Sequence, residues 1–456
     1  MDNPYCFNIE FTEGNIESSQ QIKDSLPVAS VHHAHLYDSP EKIDIRIYFA
    51  HETYFHRKFD AWLNNINFRK LGQYIKTSNV AQNHGMQSLS FEQASFKGYS
   101  TSSANIEGQF EYIVVSVDWV RIEWKANEWE INTAKFYLNQ AGFKVVSFFY
   151  SPLWISDNKF ESQRRSEKYF KINAQEYRPE FNFYQSDDSK KTEIKITKEP
   201  LLSFKEVQTE ESVLGSVNML CSSVSFFYQN NIDYSFARIQ LPEKTITIRK
   251  LLPPQIDYPA NNLWHLKNHW SLEKYLESDW SIGFMKNQGK LFKAIRNYVQ
   301  AFQVDESSRY LLLYNILEII KGGKSDEPEK FKLIVNEQEE SEKYLEALAT
   351  LLKTVNQEEH EAFKDKWNGI IGKLKYKPIK SPISELLIDN DIVPDDLPVT
   401  INRLAEIRNK LVHGSIYGIQ QDELEKATRL IYRITGILIL NLMGIKEWKL
   451  DTLIVV

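Results

Sequence analysis

The chain has 456 residues, 42% of them hydrophobic and 25% charged, with a net charge of −6. That length accommodates two or three domains with sizeable cores, and that composition excludes wholesale disorder. The acidic balance excludes an overall basic footprint for non-specific nucleic-acid binding, so any contact with RNA or DNA must be local. Only Cys6 and Cys221 occur, which excludes a disulfide scaffold and a cysteine-rich zinc site and points to a reducing cytoplasm. The opening stretch MDNPYCFNIEFTEGN lacks the basic-then-apolar pattern of a secretory signal. The apolar run within 437–443 is far short of the ~20 residues that span a bilayer, so no membrane association is expected.

In chain order, the first strong signals are strands. Ile43–Ala50, Phe110–Lys125 (FEYIVVSVDWVRIEWK) and Thr192–Thr197 alternate apolar with polar and are rich in β-branched and aromatic residues. Phe143–Ile155 reads the same way, and Tyr234–Leu241 with Lys244–Leu252 forms a hairpin around Pro242-Glu243. Residues 205–229 fit either helix or strand, and the polar stretches 156–168 and 185–191 read as loops. The expectation is a mostly antiparallel, sandwich-like β domain over 1–255. Pro253-Pro254 through Pro259 marks its end.

Residues 256–456 read as a helical domain. Leu291–Gln303, Arg309–Lys321, Glu337–Asn356, 358–373, 398–413 and Asp422–Met443 have helical spacing or composition, with loops over 321–330 and 375–397. The fold class is therefore α+β, a β domain followed by an all-α bundle. Arg309–Ile320 (RYLLLYNILEII) is apolar nearly all round and belongs at the bundle centre, yet it carries Glu318.

The stretch 398–414, PVTINRLAEIRNKLVHG, holds the candidate site. At about 100° per residue, Ile401, Leu404, Ile407 and Leu411 make a buried stripe with Ala405 and Val412 on its flank. Arg408 falls inside that stripe, whereas Asn409 and His413, four residues apart, share another face. A guanidinium there needs an anion. Glu318 is the expected carboxylate partner, with Arg309 and His413 as competitors for it. Gly414 supplies the helix stop.

Arg408-Asn409-Lys410-Leu411-Val412-His413 has the pattern of an arginine, four residues and a histidine, with a polar residue after the arginine. Together with the upstream RYLLLYNILEII and a last apolar helix, it resembles the HEPN superfamily. More narrowly, it is similar to the ApeA-like branch, in which a β-rich domain precedes the helical one. The resemblance covers about 270–456 in outline. It implies a HEPN helical bundle and a metal-independent endoribonuclease, without cofactor, acting on RNA such as tRNA. It also implies pairing into a homodimer or higher homo-oligomer whose two motifs form one cleft, in toxin or abortive anti-phage systems. The N-terminal domain would then be a sensor for a phage-derived trigger. In that chemistry Arg408 holds phosphate, Asn409 orients His413 or bonds the backbone phosphate, and His413 moves protons. Imidazole is the side chain suited to proton transfer near neutral pH. Helix 430–443 offers part of the dimer contact.

Other constellations compete. Arg46…His51 matches the bare pattern, but residues five apart on a strand face opposite ways. His51-Glu-Thr-Tyr-Phe-His56 has one residue too many for a zinc-protease helix. His32, His33 and His35 with Asp38 could hold a metal or lie solvated in a loop, and His265 and His269 could share one helical turn. Trp119, Trp124 and Trp129 are either core or a ligand-binding face. The alternative function is a non-catalytic HEPN-like helical interaction module whose β domain binds a partner or ligand.

Overall fold

The computed structural model describes residues 5–11, 31–39, 41–49, 62–64, 74–78, 86–102, 112–126, 132–149, 154–156, 159–161, 180–190, 193–253, 264–266, 272–322, 337–374, 380–414, 418–445 and 448–450. The chain forms two compact units, Met1–Asp257 and Tyr258–Val456, so the division falls in the proline-bearing stretch. The first unit is built of antiparallel sheets and the second is chiefly helical; the expected α+β organisation is borne out.

One sheet of the first unit has six strands, β1 (Tyr5–Phe11), β2 (Val31–Asp38), β3 (Ile43–Phe49), β4 (Ile75–Ser78), β6 (Phe96–Ser102) and β7 (Tyr112–Val117), in the order β4-β1-β2-β3-β7-β6. The other has seven: β5 (Met86–Ser90), β8 (Trp119–Lys125), β9 (Thr133–Leu138), β12 (Glu180–Lys190), β13 (Glu193–Lys205), β14 (Tyr234–Gln240) and β15 (Lys244–Lys250), ordered β12-β13-β9-β14-β15-β8-β5. A short hairpin, β10 (Trp154–Ser156) with β11 (Lys159–Glu161), stands apart.

Phe110–Lys125, expected as one strand, crosses from one sheet to the other at Asp118. Its carboxylate accepts from the Ser95 N–H at 2.7 Å and pairs with Lys97 at 3.1 Å, while its carbonyl accepts from the Leu251 N–H at 2.8 Å. The alternation changes phase there. Val117, Trp119 and Val120 are all buried, which places Trp119 in the core. Trp124 donates its indole N–H to Thr247 at 2.9 Å, and Trp129 lies outside the described residues.

Two further expectations in this unit are corrected. Within Phe143–Ile155, Gly142–Phe149 is a helix, α1, with Gly142, Val145 and Val146 buried at helical spacing. The β-branched pair Val145-Val146 favours a strand locally but packs equally well on a helix face. The polar stretch 185–191 is not a loop through most of its length, since β12 continues to Lys190 and pairs along β13. The ambiguous 205–229 holds helix α2 (Glu210–Tyr228), started by the Thr209 hydroxyl accepting from the Ser212 N–H at 3.2 Å.

The second unit contains α3 (Leu272–Glu277), α4 (Trp280–Lys286), α5 (Gln288–Gln300), α6 (Glu306–Lys321), α7 (Glu337–Leu352), α8 (His360–Leu374), α9 (Lys380–Ile388), α10 (Ile401–Val412) and α11 (Gln421–Leu442). It is not purely helical: β16 (Trp264–Leu266) pairs with β17 (Trp448–Leu450). His265 therefore sits on a strand, and His269 lies outside the described residues, so their helical-turn spacing does not apply. The expected loop 375–397 contains α9, in which Pro382 occupies the first turn, where proline is tolerated, and Ile383 and Leu387 are buried.

α6 is central, packed against α5, α9, α10 and α11. Tyr310, Leu313, Tyr314, Ile316, Leu317 and Ile320 are buried. Its N-terminus is capped by Asp305, which accepts from the Ser308 N–H at 3.1 Å. No helix among the described residues is long and apolar enough to cross a membrane.

α4 meets the end of α11 with no room to spare. The Asn287 amide donates to the Leu442 carbonyl at 3.0 Å, and a Cβ added at Gly283 would run into the Met443 carbonyl. Gly283→Ala is expected to destabilise the protein by about 1–3 kcal/mol, measured by chemical denaturation. Gly289→Ala, whose Cβ meets nothing within 4 Å, should leave stability unchanged or raise it by roughly 0.5–1 kcal/mol.

Candidate functional site

The candidate site lies where α10 rests on α6. The Thr400 hydroxyl starts α10 by accepting from the Arg403 N–H at 3.3 Å, and Ile401, Leu404, Ile407 and Leu411 form the buried stripe expected from their spacing. Beneath it, α6 presents Tyr310, Tyr314 and Glu318 at intervals of one helical turn, with the two tyrosine rings stacked at 6.2 Å. The Tyr310 hydroxyl donates to the Leu404 carbonyl at 2.7 Å. One turn further along α10, Arg408 Nη2 lies 3.6 Å from Glu318 Oε1. The contacts therefore advance in the same direction along both helices.

Arg408 and Glu318 are not deeply buried; their side chains are 31% and 28% exposed. Its spacing places Arg408 inside the apolar stripe, but the residue sits on the rim, where a long side chain keeps its stem on apolar surface and its head accessible. The competitor Arg309 is engaged elsewhere, by Glu306 at 2.8 Å and the Ala301 carbonyl at 2.9 Å. A second Arg408 contact, from Nη1 to Asn409 Oδ1 at 3.3 Å, joins the two neighbours.

His413 is the C-cap residue of α10 and is exposed. Its backbone N–H donates to the Asn409 carbonyl at 3.1 Å, and Gly414 follows in the left-handed region at φ +71°, ending the helix as its sequence position suggested. Asn409 is exposed as well. Val412, placed on the flank of the stripe, is 51% exposed instead of covered. The other basic side chains of α10 are tied down: Arg403 reaches both oxygens of Glu423 at 2.5 and 2.7 Å, and Lys410 meets Glu406 at 3.1 Å and the Gly418 carbonyl at 3.2 Å.

Tyr314 belongs to this site and was missed in the sequence. Burial, and then the Glu318 carboxylate, push its hydroxyl up to about 12, against the opposing pull of Arg408. The signal was present, since Tyr310, Tyr314 and Glu318 repeat every four residues, but in a helix apolar on nearly every side that ladder does not stand out.

The remaining constellations fare differently. His33 and His35 lie on strand β2, not in a loop. Among the described residues no group of three or more His, Cys, Asp and Glu side chains is placed to share a metal ion. His51 and His56 lie outside the described residues. Helix 430–443, expected to lend surface to a dimer, is largely consumed inside the unit: Ile431, Tyr432, Ile434, Ile437, Leu438, Ile439 and Leu440 are buried. Comparison of the chain with family models, with curated proteins and with solved structures found no match.

Two energetic expectations follow from the contacts. Tyr310→Phe should lower unfolding free energy by about 1 kcal/mol, because it removes a buried hydrogen bond to the Leu404 carbonyl, which keeps only its partner in the helix ladder. A double-mutant cycle on Glu318 and Arg408 should give a stability coupling below about 1 kcal/mol, as partly exposed ion pairs do. Denaturant titration measures both.

Proposed function

We propose that the second unit is a HEPN-type endoribonuclease that cleaves RNA without a metal, with Arg408, Asn409 and His413 at its site and Glu318 positioning Arg408. The observation that carries this reading is the pairing of Arg408 with Glu318 at 3.6 Å on a rim where both remain about one-third open, with the exposed His413 five residues further along the chain. Glu318 anchors the guanidinium without enclosing it.

The chemistry follows from the donor set. RNA carries its own nucleophile, the ribose 2′-hydroxyl. Cleavage needs a group that takes its proton, a cation for the charged phosphorane, and a proton for the departing 5′-oxygen. His413 exchanges the protons and Arg408 binds the phosphate through charge-assisted hydrogen bonds. Asn409 touches the guanidinium through Oδ1 at 3.3 Å, and its exposed amide is free to turn toward a phosphate oxygen. The 2′-oxygen bonds to phosphorus as the 5′-oxygen leaves, giving a 2′,3′-cyclic phosphate and a 5′-hydroxyl.

One chain offers one histidine for both proton transfers, so the active form is a homodimer in which a second copy supplies another. The exposed Val412, one turn beyond Arg408, supports a seam between copies there. The reading carries with it a cytoplasmic setting and a role in anti-phage or toxin systems, with the first unit sensing a phage-derived trigger. Exposure of Val412 also suits the second reading, a non-catalytic helical interaction module.

Purified protein incubated with total RNA and tRNA in EDTA should cleave, and His413→Ala and Arg408→Ala should each slow cleavage by about 100-fold or more. Glu318→Gln should lower the rate less, with stability little changed. Equal inertness of the parent and His413→Ala, with trigger candidates added, would favour the interaction module.

A further inference from the structure

The six-stranded sheet of the first unit has two unlike faces. Ala34, Leu36, Ile45, Ile47, Ile113 and Val115 turn inward, none more than 3% exposed. The intervening positions His33, His35, Tyr37, Arg46, Tyr48 and Tyr112 are half-buried on the other side. Strand register brings them together: His33 opposes Tyr48, His35 opposes Arg46, and Tyr48 opposes Tyr112 across β2, β3 and β7.

The rings make one connected surface. His33 stacks on Tyr48 at 4.5 Å with 9° between planes, His35 meets Tyr48 at 5.0 Å, and Tyr48 meets Tyr112 at 5.3 Å. The Arg46 guanidinium lies 4.1 Å from the Tyr37 ring centre and 5.6 Å from that of Tyr112. Neighbouring carboxylates are committed elsewhere: Asp44 to Lys42 at 2.8 Å and the Ser116 hydroxyl at 2.7 Å, Asp38 to Arg249 at 3.3 Å. Among the described residues Arg46 has no ion pair, holding instead to the Tyr37 hydroxyl at 3.4 Å and to the rings. His35 Nδ1 is buried without a hydrogen-bond partner, and burial, then the Arg46 charge, lower the pKa of that ring.

We propose that this face binds an unpaired nucleic-acid strand, its bases stacking on the tyrosine and histidine rings and a backbone phosphate meeting Arg46. Stacking on aromatic side chains needs bases free of a duplex, and a cation with no acidic partner among the described residues complements a phosphate. A saccharide would need free carboxylates or amides for its hydroxyls, and among the described residues the carboxylates beside these rings, Asp38 and Asp44, are engaged. A net charge of −6 gives no general attraction for duplexes, so selection for single strands follows from the rings. The proposal does not depend on the reading of the second unit.

The test uses the full chain carrying His413→Ala, so that cleavage does not complicate binding. Its affinity for a labelled single-stranded RNA of about a dozen nucleotides is read by fluorescence anisotropy in EDTA. Tyr48→Ala and Arg46→Met are each expected to weaken binding by about fivefold or more, with the duplex of the same sequence a poor competitor. Photocrosslinking of a thiouridine-bearing oligomer to the parent, which needs no substitution in the sheet, should label peptides containing residues 33–48 or 112. Unchanged affinity in both variants, equal competition by duplex or by an oligosaccharide, or crosslinks confined to residues 258–456 would overturn the proposal. A parent that binds through this face yet never cleaves would overturn only the nuclease reading.

Discussion

The placement of the candidate site depends on one helix pair. α10 is short, and its apolar stripe is only four residues wide at Ile401, Leu404, Ile407 and Leu411. What fixes its axial position on α6 is the hydrogen bond from buried Tyr310 to the Leu404 carbonyl. That bond is made at full burial and is directional, so it specifies register more sharply than apolar contact does. With Leu404 held over Tyr310, Arg408, one turn on along α10, comes within reach of Glu318, two turns on along α6. The end of α10, with Asn409 and His413, is then carried to the surface.

Energetics separate the two contacts. The tyrosine bond contributes to folding; the ion pair, a third exposed at both ends, contributes little. An arginine held this way is oriented at small cost and keeps donors for an incoming anion. Lys410 and Arg403 on the same helix are drawn into local carboxylates and a carbonyl. Of the three cations, Arg408 alone has a single long ion pair at 3.6 Å, which makes it the one best suited to the phosphate-binding role proposed for it.

Legibility in the sequence followed the strength of the local signal. Helix α10 was readable in detail because cap, stripe and glycine stop all agreed, and the Glu318–Arg408 pairing was readable because two charges stood on apolar helices. The rim position of Arg408 was not, since angular projection counts which face a residue is on and ignores the reach of a long side chain. The switch of sheet at Asp118 was invisible for a different reason. The adjacent Trp119 and Val120 break the alternation of VSVDWVRIEW, but a change of sheet there is fixed only by the long-range contacts of Asp118 with Ser95, Lys97 and Leu251. α1 and α9 were missed where a β-branched pair and prolines spoke locally against helix, and tertiary burial of Val145-Val146 and Ile383 decided otherwise. The ring-bearing sheet face was hidden because its members are scattered over residues 33–112 and meet only through register.

The proposal that Arg408 and His413 form a metal-free RNA-cleaving site stands on the chemistry of those two side chains, and the ends of the products report that chemistry directly. RNA treated with the protein in chelator should carry 2′,3′-cyclic phosphates and 5′-hydroxyls, identified by end-specific phosphatase and kinase treatment, and should lack them with His413→Ala. Products with 3′-hydroxyls and 5′-phosphates, or cleavage that His413→Ala leaves undiminished, would contradict the account.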